Sequence, residues 1–299
     1  NEKPFFLFLH YYDAHLSYQP PEPYASEYAD DLYAGEIAYV DHWIGQVVER
    51  LRALKVYDNT LLIITADHGE SLGDHGERAH CIFIYQSTQH VPLIVRAPHV
   101  RKGGRFDGRV SLVDIVPTVL DLVGLKTPDQ VQGTSLRGGL EGRPASDKPR
   151  PLYCESLQAA QFQCSPLNGV VLGSWKYIRA PREELYDLSR DAAETTNVVA
   201  KEAQVALRLR GRLETMLQEM ESAASPSDDG AADPDAVKRL QSLGYVGGGA
   251  IPANSAFNPS LEDPKDFMKT FERLEDANAL FNSNRAKEAE TALLEIVAE

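Results

Sequence analysis

The sequence contains no apolar run approaching the roughly 18 residues that cross a bilayer, so no helical membrane span is expected within these 299 residues. Its first residues, Asn1 to Lys3, carry neither a signal-peptide pattern nor an initiator Met. Cysteine is scarce. Three residues, Cys81, Cys154 and Cys164, make no disulfide framework. Pairing of Cys154 with Cys164 in an oxidising compartment and free buried thiols both stay open. Positive charge is short as well: 30 Lys and Arg face 44 Asp and Glu, a net charge of −14. That balance argues against non-specific nucleic-acid binding, which needs clustered cations to replace phosphate counterions, and against docking on an anionic membrane. It does not exclude an anionic substrate held by a metal and a few local cations in a cleft. What is present, 43% hydrophobic and 25% charged residues, is the profile of a globular chain with room for one large domain and something smaller.

Phe5 to His10 and Thr60 to Thr65 read as buried strands. Between them Tyr33, Ile37, Val40, Ile44, Val47, Leu51 and Leu54 recur at intervals of four and three, one apolar stripe, while Glu36, Glu49, Arg50 and Arg52 fall elsewhere. Strand, helix and strand predict a parallel crossover unit. Val91 to Val95 supplies a third apolar run, and the helical spacing of Leu112 to Val123 stops at Gly124, a suitable C-cap. Because Pro4 leads directly into Phe5, the chain is expected to begin in the middle of a sheet, and the sheet to look incomplete.

From Pro151 the segments shorten. Pro151 to Cys154, Gly169 to Leu172 and Trp175 to Ile178 predict a small antiparallel sheet, with Gly173-Ser174 turning the last two into a hairpin. Val205, Leu209, Leu213, Met216, Leu217 and Met220 form the face of a helix expected to pack back on it. Ser222 to Asp235 and Gly247 to Gly249 have linker composition. Phe267 to Phe281 and Ala286 to Glu299 then read as two helices. The expected domains are 1–150, 151–222, a linker at 223–264 and a helical hairpin at 265–299.

The stretch from Thr65 to His80, with Asp67, His68, Glu70, Asp74, His75 and Glu77, follows a strand directly, where open α/β sheets bind ligands. Asp67 and His68 side by side, with Gly69 giving the backbone room to turn, can place a carboxylate oxygen and an imidazole nitrogen on one metal ion. A solvated loop is the alternative reading.

Ile64 to Glu70 resembles the second metal-ligand motif of the sulfatase family, in the alkaline phosphatase superfamily. Four further stretches match in the family's order: Phe6 to His15 with Tyr18-Gln19-Pro20-Pro21; Val91 to Val95; Ser111 to Thr118; and Trp175 to Ile178 with Glu184 to Leu188. Together they cover most of residues 4 to 222. The resemblance implies an α/β fold with a truncated alkaline-phosphatase-like, mainly parallel sheet, a small antiparallel sheet with its helix, and a terminal helical hairpin. Ala277, Leu280, Ala289 and Leu293 sit where a tetratricopeptide repeat places its packing residues. With Leu243-Gly244-Tyr245-Val246 ahead of them, the tail resembles a bacterial sulfatase-plus-repeat arrangement, with a protein partner recruited through the repeats.

By the same resemblance Asp67 and His68 are metal ligands, and His15 contacts the sulfuryl group and protonates the leaving oxygen. His80 stands where many relatives have a Lys followed by Gly; an imidazole there suits anion binding or general-acid work. His75 reads as a loop residue. The implied cofactor is one divalent ion, calcium in most of the family, with His68 turning the choice toward manganese, magnesium or zinc. The implied nucleophile is a formylglycine, made from Cys or Ser in C-x-P-x-R or its Ser equivalent, upstream of the first strand. No such segment is present. Cys164-Ser165-Pro166-Leu167 has Asn168 where Arg is needed and reads as a decoy. The expected activity is hydrolysis of small-molecule or glycan sulfate esters by the full-length form, the chain as given being inactive. A phosphodiester or phosphonate hydrolase, or a catalytically silent binding protein bearing repeats, are the alternatives. A periplasmic or extracellular location is the family expectation.

Overall fold

The computed structural model describes residues 3–98, 100, 103–143, 149–223 and 256–298. The chain divides into two compact units, Asn1–Ile63 with Val95–Lys102, and Ile64–Ile94 with Gly103–Glu299.

In the first unit, α1 (Tyr24–Glu27) precedes α2 (Leu32–Ala53), the helix expected from the apolar stripe. Asp31 caps α2 by accepting a hydrogen bond from Ala34 N at 3.0 Å, and Arg50 and Arg52 sit in the last turn, where cations offset the helix dipole. Glu36, off the apolar stripe, is nevertheless buried. Phe5 to His10 corrects a second expectation, because it belongs to no strand. Strands exist through their ladders, and among the described residues none pairs with this run. Phe5, Phe6, Leu7, Phe8 and Leu9 are all exposed. The three apolar runs therefore do not share one sheet: among the described residues, β1 (Leu62–Thr65) pairs with β2 (Leu93–Arg96) and with no other strand.

The second unit contains α3 (Gln86–Gln89), then a capping box at Ser111 that leads through a short 3₁₀ turn into α4 (Ile115–Leu122), which Gly124 terminates at φ +75°. After α5 (Arg137–Leu140) come β3 (Leu152–Ser156), β4 (Leu167–Leu172), β5 (Trp175–Arg179) and β6 (Glu184–Asp187), an antiparallel meander in sequence order. Leu172 pairs with Trp175, leaving Gly173-Ser174 as the two-residue loop, with Gly173 at the positive φ such a tight turn needs.

Side chains alternate across this sheet as the pleat requires. Val170, Tyr177 and Leu185 meet Ala206, Leu209 and Leu213 of α6 (Ala203–Ala223). Val171, Ile178 and Tyr186 face the other way, into a core shared with Ile82 to Tyr85. That core also takes Met268 and Phe271 from α7 (Pro264–Asn282), which Asp263 caps ahead of Pro264. Helix α8 (Ala286–Val297) completes a hairpin in which Ala277 and Ala289 are buried. Of the expected linker at 223–264, residues 224–255, including Gly247 to Gly249, lie outside the described residues, while Ala223 ends α6, Pro264 opens α7 and Ser165 N donates to Glu262 O at 2.9 Å, so the linker bounds are corrected at both ends. All three cysteines are free thiols, so Cys154 and Cys164 are not bridged.

Candidate active site and metal centre

Residues 66 to 85 leave β1 and fold back on themselves. Gly69 N donates to Thr88 O at 2.8 Å, and a Cβ on Gly69 would lie 2.2 Å from Ser87 O, so no other residue fits there. Ser71 N donates to Ala79 O at 2.7 Å and Gly73 N to Glu77 O at 2.9 Å, closing the loop like a hairpin. Its tip turns through Leu72, Gly73, His75 and Gly76, all at positive φ. Inside the turn Glu77 is buried and accepts from Ile82 N at 2.7 Å, Phe83 N at 3.3 Å and the Ser71 hydroxyl at 3.1 Å. Burial pushes its carboxyl pKa up, while these hydrogen bonds pull it back.

This closure returns His80 to the start of the loop. The His80 and His68 rings stack with centroids 3.9 Å apart, and His80 Nδ1 is in close hydrogen-bonded contact with the buried Glu70 carboxylate. Burial alone would lower the His80 pKa; hydrogen bonds and charge from Cys81 and Glu70 outweigh it and raise the value to about 10. The Glu70 carboxylate beside Nδ1 thus favours the protonated ring. Cys81 follows at φ +100°, a strained conformation for a non-glycine residue.

The donor set of Asp67 and His68 fits a divalent ion. His68 Nδ1 lies 3.0 Å from Gly69 O, which places its proton on Nδ1 and the lone pair on Nε2, the arrangement usual for metal-binding histidines. Nε2 is 3.8 Å from Asp67 Oδ1. Two ligands each about 2.1 Å from one ion lie at most about 4.2 Å apart, so the pair can share it. Among the described residues, ligand atoms of His68, Glu70 and His80 also lie within 4.8 Å of one another.

Of the four residues singled out in the sequence, Asp67, His68 and His80 thus come together in the second unit. His15 belongs to the first unit, where its Nδ1 lies 2.7 Å from Leu16 O and its ring stacks on Tyr12. Its backbone N–H donates to Glu36 Oε2 at 3.0 Å, and Gln19 N donates to Glu36 Oε1 at 2.7 Å. His75 stacks on Tyr85 and its Nε2 lies 3.0 Å from Ala193 O, a structural role. The Cys164 thiol is buried with its pKa pushed up to about 11, chiefly by burial, and so is a poor nucleophile at neutral pH. Sequence reasoning missed Glu70 and Glu36. Glu70 had a visible signal, a carboxylate two residues from His68, but its link to a residue ten positions on appears only once the loop closes.

Residues 1–125 match the family described as Sulfatase, and residues 73–222 match N-sulphoglucosamine sulphohydrolase, C-terminal. The chain belongs to the sulfatase family. Mouse (Mus musculus) arylsulfatase K is 28% identical over 203 residues, covering 65% of this chain and 36% of that protein. The N-acetylglucosamine-6-O-sulfatase of Bacteroides thetaiotaomicron is 31% identical over 180 residues, covering 56% of this chain and 32% of that protein. Among solved structures, the phosphonate monoester hydrolase of Silicibacter pomeroyi superposes with a TM-score of 0.54 at 27% identity, covering 66% of this chain and 42% of that one. The chain thus spans about a third of the length of these two curated relatives. The neighbouring structures share the alkaline-phosphatase-like α/β fold.

Proposed function

We propose that the protein is a sulfuric ester hydrolase acting on a sulfated glycan or small sulfate ester, with Asp67 and His68 as metal ligands and His80 and His15 as substrate contacts. The observation that carries this reading is the Asp67–His68 pair at the end of β1, with Nδ1 bound by Gly69 O and Nε2 set 3.8 Å from the carboxylate. Asp67 and His68 would hold a divalent ion, which would supply positive charge to offset that on the sulfuryl oxygens. Asp67 supplies the anionic ligand. His80, its Nδ1 held by Glu70, offers Nε2 as a hydrogen-bonding group for a sulfuryl oxygen. The role of His15, protonation of the departing alcohol oxygen, is carried over from the family resemblance. The nucleophile proposed by family resemblance is a formylglycine, a role the buried Cys164 thiol does not suit. The tetratricopeptide-like reading of the tail, with a protein partner recruited through it, is part of this proposal by resemblance alone: Ala277 and Ala289 are buried, as in any helical hairpin, while Leu293 is exposed.

A second reading, phosphonate monoester hydrolysis, is favoured by the similarity to the Silicibacter pomeroyi enzyme. The test is to assay the full-length gene product with 4-nitrophenyl sulfate, 6-O-sulfated glucosamine and a phosphonate monoester, before and after metal removal. Metal-dependent cleavage of the sulfate esters at the higher kcat/KM is expected. Preference for the phosphonate ester would replace the first reading by the second.

A further inference from the structure

Helix α7 begins at Pro264, beyond both spans that match the sulfatase family, which end at residues 125 and 222. It nevertheless contacts the loop that carries His80 on both sides of that residue. Two positions before His80, Arg78 Nη2 donates to Glu272 O at 3.0 Å and to Asp276 Oδ1 at 2.9 Å. Two and three positions after it, Ile82 and Phe83 are buried in the core that takes Met268 and Phe271 from α7. Glu275, on the same helix, lies within electrostatic reach of both Arg78 and His80. The segment between these holds contains Cys81 at φ +100°, a conformation that persists only when its surroundings over-determine it.

We infer that α7 is a positioning element of the site, holding the 78–83 segment so that the His80 ring stays stacked on His68 and against Glu70. The inference rests on the substrate-contact role proposed for His80. Helix α7 touches no reacting atom; it acts through Arg78 and the apolar contacts on His80's flanks. A change in how the hairpin sits therefore alters the grip on the ester while leaving Asp67 and His68 in place.

Charge reversal across the Arg78–Asp276 pair tests this in the full-length gene product. Arg78→Glu would face Glu272, Glu275 and Asp276, and Asp276→Arg would face Arg78. Both sites are partly exposed, so folding should survive. Each single variant should lower kcat/KM on a sulfate ester by about tenfold, within the range for coupled neighbours, mainly through KM, with metal content unchanged. Amide exchange at 77–85 should accelerate. Arg78→Glu combined with Asp276→Arg should recover both to within about threefold of the starting protein. Wild-type kinetics and exchange in both single variants, or a double variant no better than the singles, would overturn the inference. The exchange measurement decides the positioning role without turnover: protection lost in the singles and restored in the double supports it even in a protein that cleaves no sulfate ester. That last result would remove the sulfatase reading alone.

Discussion

The loop around His80 and the segment around His15 each place an imidazole near a buried glutamate, but the two glutamates hold different atoms. Glu70 contacts the His80 ring itself, so it bears on the ring's orientation and, together with Cys81, on its charge. Glu36 reaches from α2 to the backbone N–H groups of His15 and Gln19, so it fixes the path of the chain and leaves the ring to local partners, Tyr12 and the Leu16 carbonyl. The difference separates two ways of supporting a site residue. A carboxylate on a ring tunes chemistry, while a carboxylate on backbone amides sets geometry. Substitutions should divide along the same line.

The largest effect is expected at the proposed ion. Asp67→Ala removes the anionic ligand beside His68 Nε2 and should abolish stoichiometric metal and reduce turnover by more than about 100-fold, beyond the 10–100-fold usual for groups one shell further out. Metal analysis and steady-state kinetics of the full-length gene product check it. Full metal content and turnover in this variant would detach the loop from the chemistry proposed for it.

Glu70→Gln comes next. The amide keeps the shape of the side chain but loses the carboxylate charge that contacts the His80 ring, so kcat/KM should fall by about 10–100-fold, with Asp67 and His68 still binding metal. Kinetics beside metal analysis separate the two roles open to Glu70. Loss of metal together with activity would make Glu70 a ligand, in keeping with the closeness of His68, Glu70 and His80.

The contrast also marks what could be read from sequence. Helices α2, α4 and α6 and the hairpin at Gly173-Ser174 were legible because their signals are local: a 3.6-residue stripe, a capping glycine, alternation broken by a turn. Asp67 and His68 were legible as neighbours at a strand end. Phe5 to His10 was misread because an apolar run says nothing about whether a partner strand lies beside it. Spacing set Glu36 off the apolar stripe and gave no sign of its burial, because its carboxylate meets the backbone of His15 and Gln19, 21 and 17 positions earlier. The hold of α7 on the 78–83 segment was invisible for a similar reason. Contacts such as Arg78 to Asp276 join residues 198 positions apart, and neither residue carries a local mark of the other.

The smallest effect, and the sharpest on the comparison, concerns Glu36. At neutral pH its carboxylate accepts two backbone N–H groups, which favours the charged form, but burial disfavours it more and raises its pKa above the ordinary 4.5. A raised carboxyl pKa means that, over the interval between the unfolded and folded values, the native state binds more protons than the unfolded one. Stability contributed by this group is then fully present below about 4.5 and is lost as pH rises through the folded pKa. Glu36→Gln does not titrate and exchanges one acceptor for a donor facing a backbone N–H, a mismatch costing roughly 1–3 kcal/mol if buried without relief. The parent should therefore exceed the variant in Tm by most at acid pH, with the gap narrowing as pH climbs from about 4.5 toward neutrality. Paired melting curves across that range measure it. A gap that widens with pH would show that the amides of His15 and Gln19 outweigh burial, and that Glu36, like Glu70, works chiefly as a charge.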